Sequence, residues 1–329
     1  KLAFKKSILW LLFLTLSLLS SYVAITYFTK AIPLLKIQIN SDKNKILKKA
    51  RKLSVKYGIG PKNFKQSAYF ICEHNVQNYI ELELNQASSI EDIIEKKLYY
   101  PYTWQVRHFQ EYNANESVIK FTPEGKFYGF IEHISENEPG SSLSEEEAQV
   151  IIKNFLNKET SIDLNEYTLI SHSSEHRING RTDHTFIYQK NLITPYLKHC
   201  LALSICGNKV TVMNHYIDIP EIFMRKFDQL KSSSEWINTC ANITVYTLYI
   251  FLGLLVGLLY LIKKNLLITR PAIILGFVLA ITELFYKLNE IPLSWFYYNT
   301  ANSLNSHQIN YIGGNLTMFI VYIFLYVST

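Results

Sequence analysis

Two uncharged apolar runs of membrane length, set far apart by a long stretch of mixed polarity, constrain this chain more than any other feature. Ser7 to Phe28 (SILWLLFLTLSLLSSYVAITYF) carries no charge. As a helix rising about 1.5 Å per residue it spans a hydrocarbon core of about 30 Å. Lys1, Lys5 and Lys6 precede it. A secretory signal peptide also opens on basic residues, but this run is long for one and no small-x-small cleavage site follows it. We read it as an uncleaved anchor. The second run is Ile243 to Ile262, followed at once by Lys263, Lys264 and Arg270. Pro271 opens a third apolar segment reaching about Leu288, and a fourth begins near Tyr311. The expected transmembrane helices are therefore 7–28, 240–262, 271–288 and 309–329.

The positive-inside rule puts the N-terminus (1–6) and the Lys263–Arg270 loop on the cytoplasmic side. One crossing out and one back satisfies that parity, so residues from about 30 to about 240 are expected outside the cytoplasm. The expected location is a bacterial inner (plasma) membrane, with the lipid bilayer as first partner.

Composition agrees with this partition. The 329 residues carry 33 basic and 27 acidic side chains, a net charge of +6, and the mean hydropathy is +0.04. That value lies between a soluble and an all-membrane chain. A hydrophobic share of 48% with 14% aromatics excludes a disordered chain. Four cysteines exclude a disulfide scaffold and a multi-zinc protein. The first residue is Lys1 rather than Met, and the last apolar run reaches Thr329 without a flank. We read the chain as a piece of a longer protein.

Between the first two spans the pattern repeats. Ser41 to Tyr57 reads as an amphipathic helix capped by Ser41 or Asp42, with Ile46, Ala50, Leu53 and Tyr57 at helical steps, ended by Gly58 and Gly60-Pro61. Strand-like runs follow at Ser67–Glu73, Tyr79–Leu84 and Trp104–Phe109. A hairpin then pairs Val118–Phe121 with Lys126–Ile131 across Pro123-Glu124-Gly125. The order restarts at Ser144, which with Glu147 forms a capping box ahead of Ala148, Ile151, Ile152 and Phe155. Strands are expected at Tyr167–His172, Thr185–Tyr188, Tyr196–Ile205 and Lys209–Ile219. The fold class is thus α+β: two helix-plus-antiparallel-sheet repeats, 36–138 and 141–225, combined with about four transmembrane helices. Ser135–Ser142 is the expected internal boundary, and Ser232-Ser233-Ser234 the hinge into the membrane part.

Few residues carry recognisable chemistry. His172, His176 and His184 surround Arg181-Thr182-Asp183, a grouping that suits a metal site or a proton-transfer pair. No spacing matches a metal-binding motif, so Arg181, Asp183 and His184 stand as a polar cluster capping a strand. Glu283 lies inside the third apolar segment, where a carboxylate is a functional candidate by default. Pairing with Lys287 one turn on, near the outer surface, is the plainer reading. Glu145-Glu146-Glu147 belongs to a first helical turn, where negative charge complements the helix dipole. Cys200 and Cys206 share a strand too extended to bridge them. A Cys72 bridge to either stays open, with free thiols the expected state. The lysine-rich face of the first amphipathic helix suits solvent or an anionic lipid surface. Phosphate-cradling loops, nucleophile elbows and nucleic-acid motifs are absent from the sequence, and no nucleic-acid partner is expected.

Several stretches resemble the N-terminal part of bacterial CPBP-family proteins, the CAAX-protease and bacteriocin-processing membrane metalloproteases. They are Trp104-Gln-Val-Arg107-His-Phe109 with Phe121-Thr-Pro-Glu-Gly125; Pro139-Gly140 with Leu143-Ser144-Glu145-Glu146-Glu147-Ala148; Arg181-Thr-Asp183-His184-Thr-Phe186; and Leu288-Asn289 with Tyr298-Asn-Thr300. Their order, across most of residues 40–300, carries the likeness. The repeat itself is similar to PepSY-type modules. The resemblance implies a large domain between a first membrane helix and a catalytic helix bundle, with zinc held by that bundle. The family's Glu-Glu-x-x-x-Arg signature and later metal-binding histidines do not occur here, so no catalytic or metal-binding residue is assigned and no cofactor is expected in this chain. The expected function is the non-catalytic front of such a protease, presenting or regulating a peptide or protein substrate. The rival is a non-enzymatic membrane protein whose duplicated domain senses or binds a partner, or a decayed remnant of the enzyme.

Overall fold

The computed structural model describes residues 7–31, 37–83, 90–160, 162–192, 197–266 and 269–328. The expected cytoplasmic residues 1–6 lie outside them. Helix α1 is Ser7–Ala31. Helix α2, Lys43–Tyr57, opens where the Asp42 side chain accepts the Lys45 amide and closes at Gly58, whose φ of 63° is the left-handed cap that glycine adopts freely. Its Ile46, Ala50 and Ser54 are buried. Then come β1 (Lys65–Cys72), helices α3 (His74–Glu83) and α4 (Ile90–Glu95), and strands β2 (Tyr102–Phe109), β3 (Glu116–Phe121) and β4 (Phe127–His133). The turn from β3 to β4 runs through Gly125 at φ 80°, with its amide donating to the Thr122 carbonyl at 2.8 Å.

The second half opens with α5, Glu145–Glu159, where the Ser144–Glu147 capping box is complete in both directions. Strands β5 (Thr168–His176), β6 (Thr182–Asn191), β7 (Lys198–Cys206) and β8 (Lys209–Ile217) follow. Each half is a helix followed by four antiparallel strands, with α3 and α4 inserted in the first. The halves do not form two small sheets, as the pattern suggests. They join into one eight-stranded antiparallel sheet of order β1-β2-β3-β4-β8-β7-β6-β5. Separate sheets would leave the β4 and β8 edges with unpaired amides and carbonyls; here Phe130 faces Met213 and Ile131 faces Val212. The seam needs Gly129, because a Cβ there would lie 2.3 Å from the Met213 carbonyl oxygen.

Helices α2 and α5 lie on one face of this sheet and share one core. Ile46, Ala50, Ala148, Ile152 and Leu156 meet Val106, Ile119, Phe130, Phe186 and Leu203, all 0 or 1% exposed. Burying each large aliphatic or aromatic side chain contributes about 1.5–3 kcal/mol. The helices touch through Tyr57 and Phe155, ring centroids 6.1 Å apart. A second cluster joins Tyr79 and Ile80 of α3, Ile93 of α4, Leu197 and Ile217 to Phe223. Tyr79–Leu84 is therefore not a strand over its described residues: Val76, Tyr79 and Ile80 recur at three and four residue steps and bury the inner face of α3.

Phe223 lies in the first turn of the long helix. Helix α6 (Glu221–Leu248), a π-helical stretch Tyr249–Val256 and α7 (Gly257–Lys263) run on without a break. Ser232-Ser233-Ser234 is helical rather than a hinge, with the Ser233 hydroxyl bonded to the Gln229 carbonyl at 3.0 Å. Residue 225, the expected end of the second repeat, falls inside α6. Helices α8 (Thr269–Ser294) and α9 (Leu304–Ser328) pack on each other, Phe277 against Phe319 at 6.2 Å. Among the described residues three helices are long and apolar enough to cross a membrane: Trp10–Phe28, Glu221–Lys263 and Arg270–Tyr297. The fourth expected span, 309–329, falls within α9 up to Ser328, with Thr329 outside the described residues, and α9 is not one of those three.

Candidate functional site

The polar cluster expected around Arg181 comes together, and its partners lie within the fold. Arg181, 3% exposed, sends Nε to Asp183 Oδ1 at 2.8 Å and a terminal nitrogen to Oδ2 at 3.1 Å. Its other terminal nitrogen donates to the Ser135 and Glu138 carbonyls at 3.2 and 2.8 Å. Arg177 adds a bond to Asp183 Oδ2 at 2.8 Å. Burial alone would raise the Asp183 pKa, but the two guanidinium groups hold it below the usual carboxylate value. The expected boundary loop Ser135–Ser142 is thus strapped onto β6: the Ser142 and Thr182 hydroxyls bond at 2.7 Å as well.

His184 belongs to a chain of contacts. One ring nitrogen meets the Leu143 carbonyl at 2.9 Å, the other meets His172 at 3.1 Å, and His172 reaches Glu145 at 3.2 Å. His176 instead bonds the Thr182 hydroxyl at 2.9 Å. Every polar group of the cluster has a protein partner, which makes it a brace between α5, its leading loop and the β5–β6 hairpin.

A site the sequence did not announce lies over the centre of the sheet. A cleft of about 710 Å³ opens beside the C-terminal end of α5, floored by His199, His215 and Met213 and walled by Tyr100, Tyr128 and Tyr167. His199 faces Ile217 and Leu201 faces His215 across the β7–β8 ladder, so both histidines lie on the helix-bearing face. Their rings stack at 5.1 Å and bond through His199 Nε2 and His215 Nδ1 at 3.1 Å; the Tyr167 hydroxyl meets His199 Nδ1 at 3.3 Å. Tyr128 stacks on His215 at 4.4 Å.

Burial, with a smaller push from Lys190, lowers His199 to about 4. Burial takes His215 well below its ordinary value, with His199 and nearby lysines adding to it. Burial also raises Tyr167. Both imidazoles are therefore neutral at neutral pH, and each can donate on one nitrogen while accepting on the other. A tyrosine and two neutral imidazoles in series can pass a proton or present hydrogen-bonding groups to a ligand. Lys190 bonds Glu166 at 3.0 Å at the cleft mouth, and Lys126 and Lys158 make no ion pair among the described residues. No spacing motif marks these residues. The legible signal was strand parity alone, which places the two histidines on the buried face.

The apolar helices return to the sheet at another place. The connector between α8 and α9 docks on strands β1 and β2. Arg107 donates to the carbonyls of Phe296 and Tyr298 at 2.9 and 2.6 Å while pairing with Glu116. The Ser67 hydroxyl donates to the Pro292 carbonyl at 3.1 Å, and the Tyr112 amide to that of Thr300 at 2.8 Å. The Leu304 amide donates to Glu111 at 2.9 Å. Phe109 contacts Tyr298 at 5.3 Å, and Tyr69 contacts Phe296 at 5.8 Å.

The remaining candidates are less eventful. Lys287 pairs with Glu290 at 2.9 Å rather than with Glu283, which makes no ion pair among the described residues. Cys72, Cys200, Cys206 and Cys240 are free. No group of three or more potential metal ligands occurs among the described residues.

No family model, curated protein or solved structure matches the chain. The site therefore stands on its own geometry.

Proposed function

We propose that the chain is the non-catalytic front portion of a CPBP-like intramembrane metalloprotease, in which the sheet domain presents or regulates a peptide substrate for a membrane bundle. In this reading the sheet domain lies outside the cytoplasm, its two helix-plus-meander halves derive from a duplication, and α9 completes a fourth span. The observation that carries the reading is the docking of the α8–α9 connector on β1 and β2. Arg107, held by Glu116, bonds the Phe296 and Tyr298 carbonyls of that connector, so a displacement of the sheet reaches the apolar helices directly. The buried Phe223 gives the long α6 helix a second attachment to the same domain.

A non-enzymatic sensor is the second reading, and the histidine-floored cleft favours it, since a ligand there would touch the sheet that carries the connector. Both readings need the coupling. Arg107→Ala in the chain reconstituted in lipid nanodiscs tests it by hydrogen exchange. Amides of Trp295 to Thr300 are expected to exchange about tenfold faster, the equivalent of roughly 1.4 kcal/mol, while β3 and β4 keep their protection. Unchanged exchange removes the coupling. Incubated with zinc and a test peptide, the chain alone is expected to leave the peptide whole; cleavage would refute the non-catalytic role.

A further inference from the structure

We propose that the free edge of the sheet, strand β5, is a docking rail on which an extended peptide segment adds as a ninth antiparallel strand. This rests on the peptide-presenting reading above and names how the substrate is held.

The eight-stranded sheet has two edges, β1 and β5. The end of α8 and the connector pack on the face of β1 and β2 that lies opposite α2 and α5, with Ser67 bonded to Pro292 and Tyr69 packed on Phe296 and Tyr297, and β1 is half-buried along most of its length. Among the described residues strand β5 pairs on one side only, with β6. All its residues but His172 are exposed. An edge strand presents a row of unpaired amides and carbonyls, and peptide recognition by strand addition uses that row for affinity and alternate side chains for selectivity. A register shift between Leu169 and Ser171 bends the strand's beginning, and Glu175 with Arg177 charges its end. Between them Ser171 to His176 pairs regularly with Ile187 to Thr182, leaving a regular polar stretch for one short strand.

What lies beyond that stretch also fits a peptide. A groove of about 610 Å³ starts at Thr168 and Ile170 and shares Leu98, Glu166 and Lys190 with the histidine-floored cleft. Residues flanking the docked strand can therefore continue into a hollow. A second copy of the chain is the weaker occupant. One short strand pair buries well below the roughly 1,200 Å² of a stable interface, which suits a transient peptide and not a lasting dimer.

The test uses the full chain in nanodiscs and a synthetic eight-residue peptide of alternating threonine and valine, with a lysine at each end and a benzophenone photocrosslinker. Labelling is expected on Thr168 to His176, with slowed exchange of β5 amides. Neighbouring residues in a strand point their amides to opposite sides, so one of Ser173→Pro and Ser174→Pro removes an outward amide while sparing the β5–β6 ladder. That variant, identified by intact protection of Thr185 to Tyr188, is expected to bind the peptide about tenfold more weakly or worse. Undiminished binding by it, or no labelling of β5, overturns the proposal. Labelling of Tyr128 or His215 instead of β5 also overturns it, yet leaves the peptide-presenting reading standing. Crosslinks between the β5 strands of two copies would make the edge a self-association surface and refute the peptide rail.

Discussion

The two edge strands of one sheet have opposite surroundings. Strand β1 is half-buried along most of its length, with the α8–α9 connector against Ser67 and Tyr69. Strand β5, its counterpart at the far edge, is exposed at eight of its nine residues. The halves behind them differ in the same sense. The first half carries α3 and α4 between β1 and β2, and these helices build a second apolar cluster around Tyr79, Ile80 and Ile93. The second half joins β5 to β6 by a short turn and relies on polar bracing by Arg181, Asp183 and the His172–His184 pair. The difference teaches that the same helix-plus-meander plan can be finished in two ways: by inserted helices and a docked connector beside the long apolar helices, and by polar bracing where the edge strand stays exposed.

Acid should weaken both halves, and this is the largest effect we expect. Burial lowers His108 and His199 to about 4, with Arg51 and Lys190 respectively adding to the shift. Burial takes His215 well below its ordinary value, with His199 and nearby lysines adding to the shift. Between pH 4 and the ordinary histidine value near 6.5 the unfolded chain binds more protons than the folded one. The stability these groups contribute is therefore fully present above about 6.5 and is lost as pH falls toward 4. A shift of that size corresponds to roughly 3 kcal/mol for each of His108 and His199. Urea unfolding of the sheet domain's signal, measured in nanodiscs between neutral pH and about 4.5, should show a falling midpoint. Exchange mapping sharpens the comparison: β7 and β8 hold two of the three sheet histidines that burial lowers, so their protection should fall further than that of β2 and β3. Equal loss would break the asymmetry.

Next in size is Arg181→Ala. Asp183 keeps Arg177 but loses its buried bidentate partner, and the Ser135 and Glu138 carbonyls lose their donor. Breaking a buried pair from one side costs about 3–5 kcal/mol, with the lower end expected here because Arg177 remains. The loop Ser135–Ser142 and the β5–β6 hairpin should gain exchange well before β1–β3 do. A loss spread evenly over the sheet would show that the brace serves the whole domain and not its second half.

How much of this was legible follows from the kind of interaction involved. Local rules announced the Ser144–Glu147 capping box, the Gly125 turn and the Ile46–Ala50 stripe, because each depends on residues within one turn of chain. The α3 helix was misread because Tyr79-Ile-Glu-Leu-Glu-Leu alternates like a strand; burial of Val76, Tyr79 and Ile80 against Phe223 decided for the helix. The single sheet was hidden because the β4–β8 seam pairs residues far apart in the chain, and Gly129, which permits it, looks like any glycine. The Arg181–Asp183–His184 cluster could be located from sequence, but its partners Ser135, Glu138 and Leu143 could not. The His199–His215 pair needed the β7–β8 register, which no local spacing supplies. The docking of Arg107 on Phe296 and Tyr298 joins the sheet to the connector across most of the chain.

The smallest predicted effect separates two buried histidines that acid titration would treat alike. His199 uses both ring nitrogens, toward His215 and Tyr167. His108 is fully buried, stacked on Phe64 at 4.0 Å, and neither of its nitrogens has a hydrogen-bond partner among the described residues. A buried polar group left unsatisfied carries a desolvation cost of about 1–3 kcal/mol, and an apolar replacement of similar shape removes it. His108→Leu should therefore raise stability at neutral pH by about 1 kcal/mol, after some loss of the ring stack. It should also flatten the acid limb of the first half. His199→Leu should do the reverse, because it strands the His215 and Tyr167 groups it now satisfies. Measured as paired urea midpoints at neutral and acid pH, a stabilised His108→Leu and a destabilised His199→Leu confirm that the first half holds its histidine by packing and the second by hydrogen bonds. If both variants shift the same way, the two halves are held together by the same forces, and the contrast between the half-buried edge strand and the exposed one is confined to the edges themselves.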